Sequence, residues 1–582
     1  MNSFIVSASN NWFEKNSSLL LMNPYLADFY REQDTYVIPP FQTSEAEKQK
    51  RYDEVNRRYL RLKPYVAQML NRHHGVNYPD PFWDKFLCFH LYRIISVLWD
   101  RFSFFEAHFD PVQHSYRLIR SENYRGPSTA MMGRHLFATS DFMQEQIFTW
   151  YVKEMHPNIE HKYNDFAFDE SQVVLGKPTQ SVRKRKLSEK INLQTVYRKF
   201  NKLRYQHARP RILITDTDIA LEHMDYLYSK SCGKIVWNPI PRPNTSPIFD
   251  HKIRSRLNFE GPQDADRFDR LFAASIQYLL PATYVEYFSE LFQFYSDQIL
   301  SGIDYIVAEA WLSNEYLCLY LAMARLKGTR HIYCQHGMEE PFTRCMTTYS
   351  TRLCDIYLSS GWKDSEYTNL VPGAYFRRIE KPQSPRSPMM INVAYNGEPY
   401  LVEMSALDMF TGYGAVRYID FKGRFLAALP TKILKNISYK PYPVVVAHAT
   451  WDIEKAHSQY IRQMNQYSFD GTLKEAMQSA SLTIIDCLGT VHNEALIQNS
   501  PVLIMGHMGF DVIKPKYQED YRELAAVGIF HTDPVKAATF LATIADNPSH
   551  WWTSPDVQRA RDRYVKNHFG PIDTALNYLL NL

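Results

Sequence analysis

Residues Ser481 to Met505, SLTIIDCLGTVHNEALIQNSPVLIM, read as one complete strand, loop, helix and strand. Leu482 to Asp486 is a short β-branched run, and Cys487-Leu488-Gly489-Thr490 interrupts it with a glycine and a hydroxyl before a helical pattern begins. Apolar Val491, Ala495 and Leu496 mark a helix face, Asn499-Ser500-Pro501 stops the helix, and Val502 to Met505 is apolar enough for a buried parallel strand. A βαβ unit of this kind implies a parallel sheet, so the chain belongs to the α/β class.

The same unit carries chemistry. Backbone N–H groups without helical partners and the positive end of the helix dipole converge beside Thr490, where a phosphate can be held without a metal. Glu494, one turn further in, is placed to reach ribose hydroxyls. Both residues also have ordinary readings: Thr490 as a helix cap, Glu494 as a carboxylate that favours the helix start. A βαβ unit does not by itself determine function, so the rest of the chain must contribute.

A chain of 582 residues is too long for one core, and roughly 100–200 residues per domain leaves room for two large domains or more. With 45% hydrophobic and 14% aromatic residues it is globular. Lys plus Arg number 66 against 62 for Asp plus Glu, and a formal charge of +4 over this length is not the footprint of a nucleic-acid binder. The seven cysteines are odd in number, contain no C-x-x-C and mostly sit in apolar runs; they read as reduced core residues of a cytoplasmic protein. The opening MNSFIVSASNNW lacks the basic head and apolar core of a signal peptide, and Phe86 to Trp99 is too short, and too interrupted by His90 and Arg93, to span a membrane. Arg183-Lys184-Arg185-Lys186 reads as a solvated charge run, with peripheral contact at anionic lipid of the inner membrane as the alternative.

Outward from the βαβ unit, strands alternate with helices. Phe4 to Ser7 reads as an opening strand, about 45 to 66 as a charged helix, and Phe82 to Phe102 as a helix with an aromatic stripe that belongs to the core. His73 and His74 fall in a Gly/Asn/Pro-rich loop, a setting that favours function. Ile212 to Thr215 is a strand ending in Asp216-Thr217-Asp218; D-x-D binds a metal and a nucleotide diphosphate in one class of sugar transferase but is also common by chance. Lys234 to Trp237 is a second strand, and 264 to 300 is helical. Ile303 to Ala308 is a strand, a loop through Asn314-Glu315 enters a helix closed by Gly328, and His331 to Cys334 is a strand delivering Gln335-His336-Gly337. Glu309, Asn314, Glu315 and His336 therefore stand at the carboxyl ends of parallel strands, where open α/β sheets bind ligands. Asp355 to Leu358 reads as the last strand of the first domain, and the proline-rich segment 371 to 390 as a linker. A second series has strands near 391 to 395 and 443 to 448, the βαβ unit, Gly528 to Phe530, and a helix from Pro534 to Ala545. The expected division is a Rossmann-like domain with helical insertions over 1–375, a second Rossmann-like domain over 390–550, and a tail over 551–582 that folds back on the first. Two such domains facing a cleft are the GT-B architecture.

Several stretches in order resemble a family of transferases encoded with bacterial surface-carbohydrate genes and, more loosely, the retaining β-Kdo transferases of capsule and O-antigen synthesis. They are Leu70-Asn71 through Gly75 with the aromatic helix and Trp99-Asp100-Arg101; Gln335-His336-Gly337; Gly361-Trp362; Lys440-Pro441-Tyr442-Pro443; Thr490 through Leu496 with Asn499 and Pro501; and Trp551-Trp552 with Val557-Gln558. The resemblance implies a GT-B fold with 1–375 as the acceptor domain and 390–550 as the nucleotide-sugar domain, and transfer with retention from a nucleotide-sugar donor such as CMP-Kdo to an oligosaccharide or lipid-linked glycan acceptor. Two positions depart from the pattern: Tyr442 stands where CMP-sugar transferases often show a histidine, and Asn314-Glu315 where the family more often shows an aspartate.

Glycosyl transfer needs a base for the acceptor hydroxyl, stabilisation of the leaving phosphate and, for retention by double displacement, a carboxylate nucleophile. Glu315 or Glu309 is the expected carboxylate and His336 the proton-transfer or stabilising group, with Gln335, Gly337 and Asn314 beside them in the cleft. Lys440, Tyr442, Gly489 and Thr490 are the expected nucleotide-phosphate contacts and Glu494 the ribose contact, with no metal and no cofactor required. The rival readings are a nucleotide-sugar epimerase or alcohol-phosphate transferase on the same fold, and a glycan-binding protein without catalysis.

Overall fold

The computed structural model describes residues 2–7, 17–22, 33–38, 45–164, 209–217, 219–244, 247–309, 314–337, 347–376, 390–393, 413–440, 456–465, 473–486 and 488–582. Four parallel sheets, of four, six, five and two strands, organise these residues. The central sheet contains, in chain order, Ile212–Thr215, Ile235–Trp237, Tyr305–Ala308, Arg330–Cys334, Ile356–Ser359 and Leu370–Pro372. Their spatial order is 2-1-3-4-5-6. The carboxyl-terminal sheet contains Met390–Val393, Ile437–Lys440, Leu482–Ile485, Val502–Met505 and Phe530–His531 in the order 2-1-3-4-5. Both are doubly wound Rossmann-like sheets, and in each the strand order reverses between the first and third strands, which makes a crevice at their carboxyl ends.

Period-two burial shows why these strands form. In the central sheet Leu213, Ile306 and Ala308 face the large core shared with the amino-terminal helices. Ile212, Ile214 and Val307 face the opposite side, where Ala575, Leu576 and Leu579 of the last helix, Ile572–Leu580, cover them. The chain thus returns to its first Rossmann-like sheet after completing the second. The crossing is made by Phe569-Gly570: Gly361 bridges to Phe569, the Gly570 N–H donates to the Ser360 carbonyl at 2.8 Å, and a Cβ on Gly361 would stand 1.9 Å from the Gly570 nitrogen.

Several sequence expectations change. The opening strand is Asn2–Ile5 and it belongs to neither Rossmann-like sheet; it lies in a separate four-stranded parallel sheet with Leu19–Leu21, Thr35–Val37 and His114–Ser115. The segment expected as a linker starts inside a strand, since Leu370–Pro372 pairs with Tyr357 to Ser359. That strand is three residues long and ends in proline, tolerable only at a sheet edge, and is too short to register as a pattern. His73 and His74 close the 30-residue helix Glu45–His74 rather than a loop, and the His74 ring bonds the Tyr284 carbonyl at 2.9 Å. The helical stretch from 264 to 300 is three helices, Arg267–Leu279, Ala282–Val285 and Phe288–Ser296, separated at Pro281 and Tyr287. The aromatic stripe is core: Phe82, Trp83, Phe86, Tyr92 and Phe105 are all buried. The strand expected near 443 to 448, Tyr442, Asp218 and the 183–186 charge run lie outside the described residues. Among the described residues, no helix is long and apolar enough to cross a membrane.

Candidate active site

Glu309 immediately follows the third strand of the central sheet, at the reversal of strand order, and its backbone N–H reaches the Asp216 carbonyl beyond the first strand at 3.2 Å. Its side chain is buried, and Oε2 lies 2.6 Å from Nδ1 of His336, whose ring is 22% exposed. A carboxylate at Nδ1 selects the neutral tautomer with Nδ1–H donating, which makes Nε2 the basic nitrogen. His336 reaches this position because the preceding residue is clamped. The Gln335 amide oxygen accepts from the Ser360 N–H at 2.8 Å and the Trp362 indole N–H at 2.7 Å, while its NH₂ donates to the Gly337 carbonyl at 3.1 Å. Trp362 is buried, so the loop carrying His336 is tied to a rigid neighbour.

The other sheet meets this loop directly. Gly337 has φ +63°, and a Cβ there would stand 2.8 Å from Thr490 Oγ1, the first residue of the helix Thr490–Ile497. Glycine is needed for the left-handed backbone and for the close approach. His336 and the helix start are therefore neighbours across the boundary between the two Rossmann-like sheets. Among the described residues, a Cβ on Gly489 would meet nothing within 4 Å. The Gly489 N–H itself donates to Nδ1 of buried His492 at 2.9 Å, and burial depresses that imidazole to about 3. A neutral His492 therefore caps the helix from its third residue, the position a capping-box partner takes.

Lys440 ends the second strand of the carboxyl-terminal sheet, in register with Val393. Two strand spacings separate it from Leu482–Ile485, roughly 10 Å at the usual interstrand distance, so Lys440 shares the carboxyl edge with the Gly489 loop but is not adjacent to it. Glu494 Oε1 accepts from the Tyr375 hydroxyl at 2.7 Å. Tyr375 comes from the segment leaving the central sheet, and nothing in its sequence neighbourhood signals this role.

Two expected residues take structural positions. Asn314 caps the helix Glu315–Leu326, its side chain accepting from the Leu317 N–H at 3.2 Å. Glu315 is buried, its Oε1 accepts from the Ala130 N–H at 3.0 Å, and burial lifts its carboxyl to about 7. The side chain is thus turned to the start of the helix Ala130–Thr139 and is not paired with His336. Among the described residues, no group of three or more His, Cys, Asp or Glu side chains is arranged to hold a metal.

Fold and site together define a protein with two Rossmann-like sheets whose facing edges bring a carboxylate–imidazole pair against a helix start. The LIC12162 family transferase profile matches residues 3–581, and the chain belongs to that family of transferases. No curated protein matches its sequence. Among solved structures the chain is similar to the trehalose-6-phosphate structure from E. coli bound with UDP-2-fluoro glucose, at 11% identity and TM-score 0.35 over 64% of this chain and 99% of that one. It is also similar to MurG of Acinetobacter baumannii, at 10% identity and TM-score 0.31 over 64% and 98% of the two chains. UGT89C1 of Arabidopsis thaliana complexed with UDP aligns at 11% identity and TM-score 0.33 over 64% and 99%. At these scores the fold assignment rests on the strand orders given above.

Proposed function

We propose that this transferase is a GT-B glycosyltransferase that moves a sugar from a nucleotide donor to a glycan acceptor in the crevice between the two Rossmann-like sheets. The observation that carries the reading is the abutment of the Gln335-His336-Gly337 loop on Thr490, which sets a paired imidazole beside a helix start suited to a phosphate. In the step that fits these residues, the acceptor hydroxyl attacks the anomeric carbon and its proton passes to His336 Nε2. The bond from that carbon to the phosphate oxygen breaks, and the electron pair leaves with the nucleotide phosphate, held by the helix start. Glu309 orients the ring and balances the imidazolium. Retention through a covalent intermediate needs a carboxylate presented to the sugar; among the described residues the two expected ones are otherwise engaged, Glu309 with His336 and Glu315 with the Ala130 N–H.

The resemblance to β-Kdo transferases favours a CMP-linked ulosonic acid such as CMP-Kdo as donor and a growing O-antigen or capsule glycan as acceptor, at the cytoplasmic face of the inner membrane. Thermal melting with CMP, CDP, UDP and GDP tests the donor seat. A nucleotide that binds the native state at about 100 times its dissociation constant adds about 2.7 kcal/mol of stability, so one of the four is expected to raise the melting temperature clearly. No shift with any of them, alongside calorimetric binding of a glycan, would replace the transferase reading with the glycan-binding one. Donor turnover without acceptor would favour an epimerase.

A further inference from the structure

Tyr375 lies three residues beyond the edge strand Leu370–Pro372, where the chain leaves the central sheet. Its ring stands edge-on to Phe569, with centroids 6.0 Å apart and planes at 88°. Phe569 belongs to the glycine crossing at which the carboxyl-terminal segment returns. A Cβ on Gly373 would stand 2.5 Å from the Ser359 carbonyl oxygen, and one on Gly570 would stand 2.2 Å from the Gly373 carbonyl oxygen. Backbones this close leave Tyr375 little freedom, and the phenol is delivered from that anchor to a carboxylate of the other sheet. Glu494 is four residues on from Thr490, hence on the same helix face, one turn further from the helix start.

We propose that Tyr375 is an internal competitor in the nucleotide seat: its hydroxyl makes to Glu494 the hydrogen bond that a ribose hydroxyl makes when the donor binds, so the ribose must displace it. The inference rests on the reading of Glu494 as the ribose-holding carboxylate. A sugar with one hydroxyl exchanges one O–H donor for another and gains little. Displacing the phenol subtracts one hydrogen bond from whatever a ribose hydroxyl gains at Glu494, while a sugar without hydroxyls leaves the phenol in place.

Calorimetric titration of the full chain with CMP, UDP and GDP, and with their 2′,3′-dideoxy counterparts, tests this in the unaltered protein, Tyr375→Phe and Glu494→Gln. The phenylalanine keeps the ring against Phe569 and removes only the competing hydroxyl. It is expected to tighten the preferred ribonucleotide about ten-fold, the order of a hydrogen bond to a charged group, while leaving the dideoxy nucleotide unchanged. Glu494→Gln is expected to lower the preference for ribose over dideoxyribose and to make Tyr375→Phe silent in the double variant. Ribonucleotide binding that depends on Glu494 but is unchanged or weakened by Tyr375→Phe overturns this inference alone. No binding by any of the three ribonucleotides, or a ribose preference untouched by Glu494→Gln, overturns the donor seat itself and the inference with it.

Discussion

Glu309 and Asp486 occupy the same topological place in two sheets of the same strand order. Each is the first residue after the third strand, where the winding reverses. Their surroundings differ. Glu309 pairs with a histidine from the end of the fourth strand whose ring is 22% exposed. Asp486 pairs with Lys422 at 2.7 Å, both side chains 1% exposed, in a nest completed by the hydroxyls of Tyr418 and Tyr439 at 3.4 Å from the ammonium. Lys422 sits on the helix Tyr413–Ala428 between the first and second strands, so the carboxylate at this reversal is held by a buried cation. Against the cost of burial, the negative charge of Asp486 and the Tyr439 hydroxyl hold that ammonium charged. Position in the fold makes a carboxylate available; its partner and its exposure decide whether it does chemistry or holds the loop that follows.

The two pairs are expected to fail differently. Replacing His336 with alanine is expected to lower sugar transfer by about 10²–10⁴-fold, the usual scale of a lost general base, while the melting temperature scarcely moves. A variant that still transfers would remove His336 from the reaction. Asp486→Asn leaves Lys422 charged in a dry site and is expected to cost about 3–5 kcal/mol in chemical denaturation, with Lys422→Met plus Asp486→Leu recovering much of it. A stable Asp486→Asn protein that has lost transfer would invert the comparison.

Glu315, six residues after Glu309, sharpens the contrast by a smaller effect. Its folded value of about 7 lies above the ordinary 4.5, so the folded chain keeps a proton that the unfolded chain has released. Its contribution is fully present below pH about 4.5 and is lost as pH rises through about 7, on the order of 3 kcal/mol in total at about 1.36 kcal/mol per tenfold change in proton affinity. Glu315→Gln should remove that slope from a series of denaturation curves between pH 4 and 8. An unchanged slope would mean that Glu315 is ionised in the fold, and would return it to the list of candidate nucleophiles.

The resemblance motifs divide along the same line. The Trp551-Trp552, Val557-Gln558 and Asn499 stretches form one lock: the Trp552 indole N–H donates to Asn499 Oδ1 at 2.8 Å, Asn499 donates to Gln558 Oε1 at 3.0 Å, and Gln558 donates to the Trp552 carbonyl at 2.7 Å. With Arg561 on the carbonyls of Leu496 and Ile497, they hold the far end of the helix whose start faces His336. Asn71 does similar work among the amino-terminal helices, accepting from the Tyr78 N–H at 3.0 Å and the Trp83 indole N–H at 2.9 Å. Trp362 of the Gly361-Trp362 pair supports Gln335. Much of the ordered pattern is thus scaffolding, and Gln335-His336-Gly337 with Thr490 is the part that meets at the crevice.

By itself the sequence determined what depends on neighbours along the chain. Continuous apolar runs predicted most of the strands of both Rossmann-like sheets, though not Ile437–Lys440 or Leu370–Pro372, and the carboxyl-end rule put Glu309 and His336 at the ends of parallel strands and Gly489 and Thr490 at a helix start. Short or irregular pieces escaped it: a three-residue edge strand has too few residues for a period, and the opening strand shows no sign in sequence of which sheet it joins. Pairings between side chains 27 to 185 residues apart belonged to the tertiary structure alone. Glu309 with His336, Glu494 with Tyr375, Asp486 with Lys422 and Glu315 with the Ala130 N–H are set by how helices pack and where the carboxyl-terminal segment crosses back. A carboxylate's charge, exposure and partner are properties of that packing and of no local stretch of residues.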